Sequence, residues 1–214
     1  MSTIASGIPG RRLAHGAARG ACTLAALAGM SLAEAFDHTV TPTDSGIWAH
    51  KYTQALQYGV IAVEVGGALW YGGESEIGKT YWQCIDSSVI SGVTAQVMKV
   101  TFSRARPSQT TNPNEWFQGS GHESFPSGEV TLQASFVTPF IVHYADRQPW
   151  VWALEALPAY DAVARVKQGS HWQTDVIAGW ALGTGVGYFA AKNDSPYFLR
   201  ILPHGFMVGL HAAW

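Results

Sequence analysis

The sequence predicts an all-α fold: a single-domain helical bundle of about five or more core helices, interrupted by one long loop over about residues 103–126. Three observations carry this prediction. Apolar residues recur at helical spacing through successive blocks separated by glycine or proline. The 214 residues are 47% hydrophobic and 13% charged, enough for one well-buried core and too few to require two. Residues 103–128 break the pattern with Pro107, Pro113, Pro126 and many Ser, Thr and Asn residues. A loop that long inside a compact domain is usually functional or disordered, and Trp116 and Phe117 favour an ordered one.

The elements follow in order. After a polar lead-in from Asp37 to Ser45, a first helix is expected from about Ile47 to Trp70, stopped by Gly72-Gly73. A second runs from Glu76 to Lys99, with Gln83, Asp86, Ser87 and Ser88 expected to face away from the Ile90, Val93 and Val97 side. A third begins at Ser127 and reaches about Tyr144. A fourth spans Trp150 to Val166, and a fifth starts at His171 and ends near Lys192. Residues 205–213 read as a short terminal strand or an extended tail. No repeat or domain linker is visible. Val130 to Ala145 and Val176 to Ala191 are each 16 residues without Asp, Glu, Lys or Arg, below the ~20 needed to span a bilayer core. They read as buried helices of a soluble domain, with an integral membrane protein of short helices as the alternative.

Residues 1–35 have the organisation of an export signal. Arg11, Arg12 and Arg19 precede an uncharged run from Gly20 to Ala33, followed by Ala33-Glu34-Ala35 in an A-x-A arrangement. Cleavage near Ala35 is expected, leaving residues 36–214 as the mature domain in the periplasm or outside the cell. An ordinary N-terminal helix or an uncleaved anchor, with membrane association, is the alternative. Cys22 falls in this leader, so Cys84 has no intramolecular partner and no disulfide framework exists. The formal net charge of −2 and the lack of a long basic run argue against nucleic acid as a partner.

Three short stretches carry chemistry. In "KVTFSRARP", Lys99, Arg104 and Arg106 cluster where a helix runs into the Pro-rich loop, and an ammonium beside a two-pronged guanidinium suits a tetrahedral anion. The plainer reading is a solvated basic helix end. In "SFPSGEV", Ser127 reads as an N-cap and Gly128 lets a ligand approach the free N–H groups of a helix start, where the dipole also favours negative charge. Ordinary capping, with Glu129 complementing the dipole, would account for that stretch alone. In "ARVKQGSHWQTD", a helix beginning near Ser170 would put His171 and Asp175 on one face. Asp175 would then accept from one imidazole nitrogen and leave the other free. A structural His–Asp pair has the same pattern.

Together, Lys99, Arg106-Pro107, Pro126-Ser127-Gly128, Arg165, His171 and Asp175 closely resemble the signature of the type-2 phosphatidic acid phosphatase superfamily. That superfamily also contains bacterial acid phosphatases and vanadium haloperoxidases. The resemblance covers residues 99–175 and implies a metal-independent phosphatase. His171 would be the nucleophile that becomes phosphorylated, and Asp175 would orient it. Lys99, Arg106, Arg165 and the backbone N–H groups near Ser127 and Gly128 would hold the phosphoryl oxygens. No cofactor is implied, and vanadate would act as an inhibitor or transition-state mimic. The expected partner is a phosphorylated small molecule or, given Trp116, Phe117 and Trp172 near the site, a lipid phosphate of the phosphatidic acid or polyprenyl diphosphate type, with peripheral membrane contact. The sequence gives no oligomeric state.

Two positions depart from the family pattern. Ala164 stands where Ser is usual, which removes one phosphate hydrogen bond. Glu129 stands where the family has the His that protonates the leaving oxygen. A glutamate can do that only when it is protonated with substrate bound. Two like charges ~4 Å apart at an effective dielectric near 20 cost about 4 kcal/mol, which disfavours a carboxylate beside phosphate, whereas the neighbouring cations favour one. Three readings follow: Glu129 is the acid and favours a low pH optimum; His122, seven residues earlier, replaces it; or turnover is weak and the protein is a phosphate binder. A vanadate-dependent oxidase is a further rival, disfavoured by the missing His.

Overall fold

The computed structural model describes residues 36–193, 197–202 and 205–210; the expected leader, residues 1–35, lies outside them. Five α-helices form the bundle: α1 (His50–Tyr71), α2 (Glu76–Phe102), α3 (Gly128–Tyr144), α4 (Ala156–Lys167) and α5 (Gln173–Lys192). One-turn 3-10 helices at Gly46–Trp48 and a longer one at Pro149–Glu155 precede α1 and α4. The last described residues form an antiparallel pair of strands, β1 (Tyr197–Leu202) with β2 (Gly205–Leu210), in the register Tyr197 opposite Leu210. The helical prediction holds, and the loop falls between the end of α2 and the start of α3, as expected.

The helix limits follow local chemistry. Gly72, at φ +66°, closes α1, and the Ser75 hydroxyl accepts from Gly78 N–H to start α2. Trp150 lies in the 3-10 segment, so α4 starts at Ala156 rather than at Trp150. The last helix begins at Gln173, two residues after His171, because the Asp175 carboxylate reaches back to the N–H of Trp172 at 2.9 Å and fixes the first turn there.

α3 is the central element and packs against α5, α2 and α4. Its contact with α5 is close because Gly179 and Gly183 present no side chain. A Cβ at Gly179 would lie 2.5 Å from the Ser127 carbonyl oxygen, and one at Gly183 2.3 Å from that of Thr131. The core proper is formed by Val60, Cys84, Phe136, Val137, Ile141 and Val151, with a second cluster of Val130, Ala162 and Val176 nearer the loop end.

The polar residues of α2 and its valines face apart, as expected, and it is the polar side that turns inward: Asp86 and Ser87 are buried, whereas Val93 and Val97 are 62% and 60% exposed. Small side chains explain this choice: Ser87, Ser91 and Ala95 let α2 approach the bundle, and the Ser87 hydroxyl donates to the carbonyls of Cys84 and Ser135. The valines are left outside, and Tyr58, Val65 and Trp70 of α1 are exposed as well. No helix among the described residues is long and apolar enough to cross a membrane.

Candidate functional site

The site lies where the α2–α3 loop folds back over the starts of α3 and α5. Ser103, at φ +32°, ends α2 by donating its N–H to the Lys99 carbonyl at 2.9 Å. Beyond it, the loop returns through Ser124 N–H to the Arg104 carbonyl at 3.0 Å. Lys99 Nζ and Arg106 Nη2 then both donate to the Glu123 carbonyl, at 2.7 and 3.1 Å. Arg106 Nη1 also donates to the Ser170 carbonyl at 2.9 Å, immediately before His171. Burial, reinforced by the Arg106 charge, pushes the Lys99 ammonium down to about 8; burial and the Arg165 charge also lower Arg106. Two cations held this close, with neutral carbonyls as direct partners, are poised for an anion.

The helix start contributes differently from the expectation. Ser127 occupies the N-cap of α3 in an extended conformation, but its hydroxyl caps nothing. Its Oγ is buried without a partner among the described residues, and its N–H donates to the Asp175 carbonyl at 3.0 Å. A Cβ built on Gly128 would meet Lys99 Cε at 3.6 Å, so the Lys99 stem passes over the first turn. The N–H groups of that turn and the Lys99 ammonium therefore share one approach.

His171 is buried, and its Nδ1 lies 2.7 Å from the Ser124 carbonyl oxygen. A carbonyl only accepts, so Nδ1 carries the proton and Nε2 keeps its lone pair. Asp175 Oδ2 stands 3.8 Å from the same nitrogen, too far for a hydrogen bond. The expected helical His171–Asp175 hydrogen bond is thus replaced by one to the loop backbone, because His171 precedes the helix. Burial pushes the imidazole down to about 4, with Lys99 and Arg106 lowering it further against the opposing pull of Asp175.

Asp175 instead ties the site together. Its Oδ2 accepts from the Ser124 hydroxyl at 2.5 Å and from Trp172 N–H at 2.9 Å, and its Oδ1 accepts from Arg104 at 2.5 Å. Burial alone would raise this carboxyl, but the hydrogen bonds and the Arg104 charge hold it below its ordinary value. Arg104, grouped by sequence with the anion-binding cations, is fully buried and committed: it pairs with Asp37 and Asp175, each at 2.5 Å. Its guanidinium lies 4.4 Å from the Trp116 ring centre and 5.5 Å from that of Trp172. Trp116 and Trp172 are therefore buried packing partners of Arg104 rather than the expected aromatic entrance; Phe117 alone of the three is exposed.

Arg165 reaches the site from α4. Its Nη1 lies 3.2 Å from Glu129 Oε2 and donates at 3.2 Å to both His50 Nε2 and Gln168 Oε1. Glu129, with a side chain 19% exposed, thus sits beside a cation at the start of α3. His122 is half-buried in the loop, one residue before the Glu123 carbonyl that takes Lys99 and Arg106, and its Nδ1 has no partner among the described residues. The sequence pattern gives no signal for Asp37, His50 and Ser124. Asp37 lies more than sixty residues before Arg104, its partner, and Ser124 acts through its backbone as much as its hydroxyl.

Three cations, a helix start and an imidazole with a bare nitrogen are brought together under the α2–α3 loop, near enough for the Lys99, Arg106 and Arg165 charges to act on one another. A profile described as the PAP2 superfamily matches residues 80–195, more than half of the chain. The chain belongs to this superfamily. Among individual relatives, it is 29% identical over 111 residues to the undecaprenyl-diphosphatase of Sulfolobus acidocaldarius, covering 51% of this chain and 52% of that protein. It is 34% identical over 114 residues to the lipid A 1-phosphatase of Rhizobium etli, covering 51% and 47%. The chain thus matches about half the length of these two relatives. The crystal structure of Aquifex aeolicus LpxE superposes with a TM-score of 0.50 at 16% identity, covering 66% of this chain and 84% of that one, and shares its fold. The PAP2 match spans every expected site residue from Lys99 to Asp175.

Proposed function

We propose that this PAP2 protein is an exported phosphatase that hydrolyses lipid phosphate monoesters or diphosphates through a phosphohistidine at His171. The observation that carries the reading is the tautomer of His171: the Ser124 carbonyl fixes the proton on Nδ1 and leaves Nε2 bare among Lys99, Arg106 and Arg165. Nε2 attacks phosphorus and the bond to the leaving oxygen breaks. The three cations and the N–H groups of the first turn of α3, from Gly128 onward, stabilise the charge of the pentacoordinate transition state; the Ser127 N–H is held by the Asp175 carbonyl. Glu129 protonates the leaving oxygen, then as a carboxylate takes a proton from the water that splits the phosphohistidine. Asp175 keeps the Ser124 loop, and hence the imidazole, in place. The cations supply the charge stabilisation that a metal would otherwise provide, so turnover is expected to survive chelators.

A lipid substrate is supported by the named activities of the relatives and by a groove of about 750 Å³ between α1, α3 and the Pro149–Glu155 turn. Its lining includes Leu56, Val60, Phe136, Phe140, Trp150 and Leu157. None of the cations lines this groove; Leu157 lies two helical turns, about 12 Å, before Arg165 on α4, so the groove runs along the bundle beyond the cation cluster. The exposed valines of α2 and the apolar residues of α1 favour membrane association of the exported domain. Turnover of a short-chain lipid phosphate and a sugar phosphate, each with and without chelator, tests the reading. Preference for the lipid and indifference to chelator are expected; equal rates would remove the lipid assignment.

A second reading, a phosphate binder with little turnover, rests on Glu129 alone. Binding of phosphate without release from any ester between pH 4 and 8 would favour it.

A further inference from the structure

Beside Glu129 and Arg165 lie two buried polar groups that the mechanism above does not use. Asp161 is fully buried on α4, one turn before Arg165, and neither of its carboxylate oxygens has a partner among the described residues. Gln133, one turn after Glu129 on α3, is also fully buried with both amide atoms unpartnered. Arg165 Nε has no partner among the described residues either, and Glu129 Oε2 has no hydrogen bond, only the Arg165 guanidinium at 3.2 Å. Val130 and Ala162 pack in one apolar cluster, so the turns carrying Glu129 and Asp161 stand side by side on α3 and α4.

A buried carboxyl with no hydrogen-bond donor is unstable as an anion and keeps a proton. Burial pushes Asp161 up to about 7, the Glu129 charge raises it further, and Arg165 opposes them. These two are the charged groups that reach it. From α5 the neighbours at this level are Val176 and Trp180, and from α1 His50 accepts from Arg165. Glu129, by contrast, has a guanidinium at 3.2 Å. In the free protein Asp161, with no donor to hold a charge, therefore keeps its proton, while the guanidinium faces Glu129. Phosphate reverses these preferences, because it draws on Arg165 and sets its own negative charge beside Glu129.

We propose that Asp161 and Glu129 form a proton-sharing pair, in which an arriving phosphate drives one proton from Asp161 to Glu129. One O–H bond breaks at Asp161 and one forms at Glu129, so the charge moves one residue deeper and no proton is drawn from solvent. Asp161 is then a positioning residue that delivers Glu129 in its acid form only when an oxyanion is bound. The inference rests on the phosphatase reading of the cleft. It accounts for a carboxylic acid at a position where a fixed negative charge would repel substrate.

Calorimetry of inorganic phosphate binding at pH 6, in buffers of different ionisation enthalpy, counts the protons taken up. Asp161→Asn removes the internal donor and is expected to take up about one more proton from buffer per phosphate than wild type. Equal counts with intact phosphate binding overturn the proposal alone; no phosphate binding to wild type overturns the phosphatase reading and this inference with it. Should Asp161→Asn fail to fold, Glu129→Gln tests the pair from the other side. Phosphate should shift the neutral-carboxyl infrared band of wild type and leave that of Glu129→Gln in place. An unshifted wild-type band overturns the proposal.

Discussion

His171 Nδ1 donates to the backbone carbonyl of Ser124 at 2.7 Å, and Asp175 holds that same serine by its hydroxyl at 2.5 Å. The carboxylate thus orients the imidazole through a loop residue rather than by touching it. Replacing Asp175 by Asn leaves one acceptor oxygen where Ser124, Trp172 and Arg104 use two, puts an NH2 donor in place of the other and removes the charge that pairs with Arg104. Asp175→Asn should lower kcat by about 10²-fold or more, since misplacing a reacting group by ~1 Å costs that much. Steady-state kinetics on folded variant checks this, and an unchanged kcat would remove the indirect orienting role.

Arg104 touches no part of the cleft but carries two buried ion pairs. Truncation to Ala leaves Asp37 and Asp175 buried without their cation, a loss of about 3–5 kcal/mol. Denaturant unfolding of Arg104→Ala should therefore show a much lower midpoint, and Arg104→Lys should rescue little because one ammonium cannot fork to both carboxylates. A midpoint within the wild-type error would contradict the assignment.

Helical spacing of apolar residues made the all-α class legible, and the Lys99-to-Asp175 order of charges made the PAP2 resemblance legible, because those features are local: a helix end, a helix start and a fixed order of charges. What escaped the sequence was partnership across the chain. Nothing near Arg104 announces that its carboxylates are Asp37 and Asp175, so it reads as one more cation of the cluster. Helical periodicity separated Val93 and Val97 from Asp86 and Ser87, but it defines two faces without saying which is outside. The small residues Ser87, Ser91 and Ala95 decided that. The start of α5 at Gln173 rather than near Ser170 depends on Asp175 reaching back to Trp172, and with it went the expected helical His171–Asp175 bond.

Because burial first, with the Lys99 and Arg106 charges, pushes His171 down to about 4, the nucleophile stays neutral through mildly acid solution. The acid limb of the kcat/KM profile should therefore lie near pH 4 to 5. A limb near 6.5, the ordinary imidazole range, would mean that His171 is not the titrating nucleophile.

Glu129→His puts an imidazole where the wild type has a carboxyl. If Glu129 supplies the leaving-group proton, the alkaline limb of kcat should move toward neutral pH in the variant, as expected for a donor that holds its proton to higher pH. Superimposable profiles would point to another donor, with His122 the nearest choice on the loop.

Glu64 is buried on α1 with one hydrogen bond, from the Ser88 hydroxyl at 2.8 Å, and burial pushes it up to about 7. Its folded value exceeds its unfolded one, so the folded protein binds the extra proton between about pH 4.5 and 7. Stability from this group is full below that window and lost as pH rises through it. Glu64→Gln does not titrate, so its stability relative to wild type should climb by up to about 3 kcal/mol across the window and then level off. Unfolding curves at pH 5, 6, 7 and 8 follow this difference; a flat difference would mean the buried carboxyl is not the titrating group.

The most direct measurement is a rapid-quench experiment with a phosphate-labelled lipid phosphate, with the quenched protein digested and its phosphopeptide located. The account predicts acid-labile, base-stable label on His171, and no label or phosphate release from His171→Ala. Sustained release by His171→Ala, or label on any other residue, would contradict it.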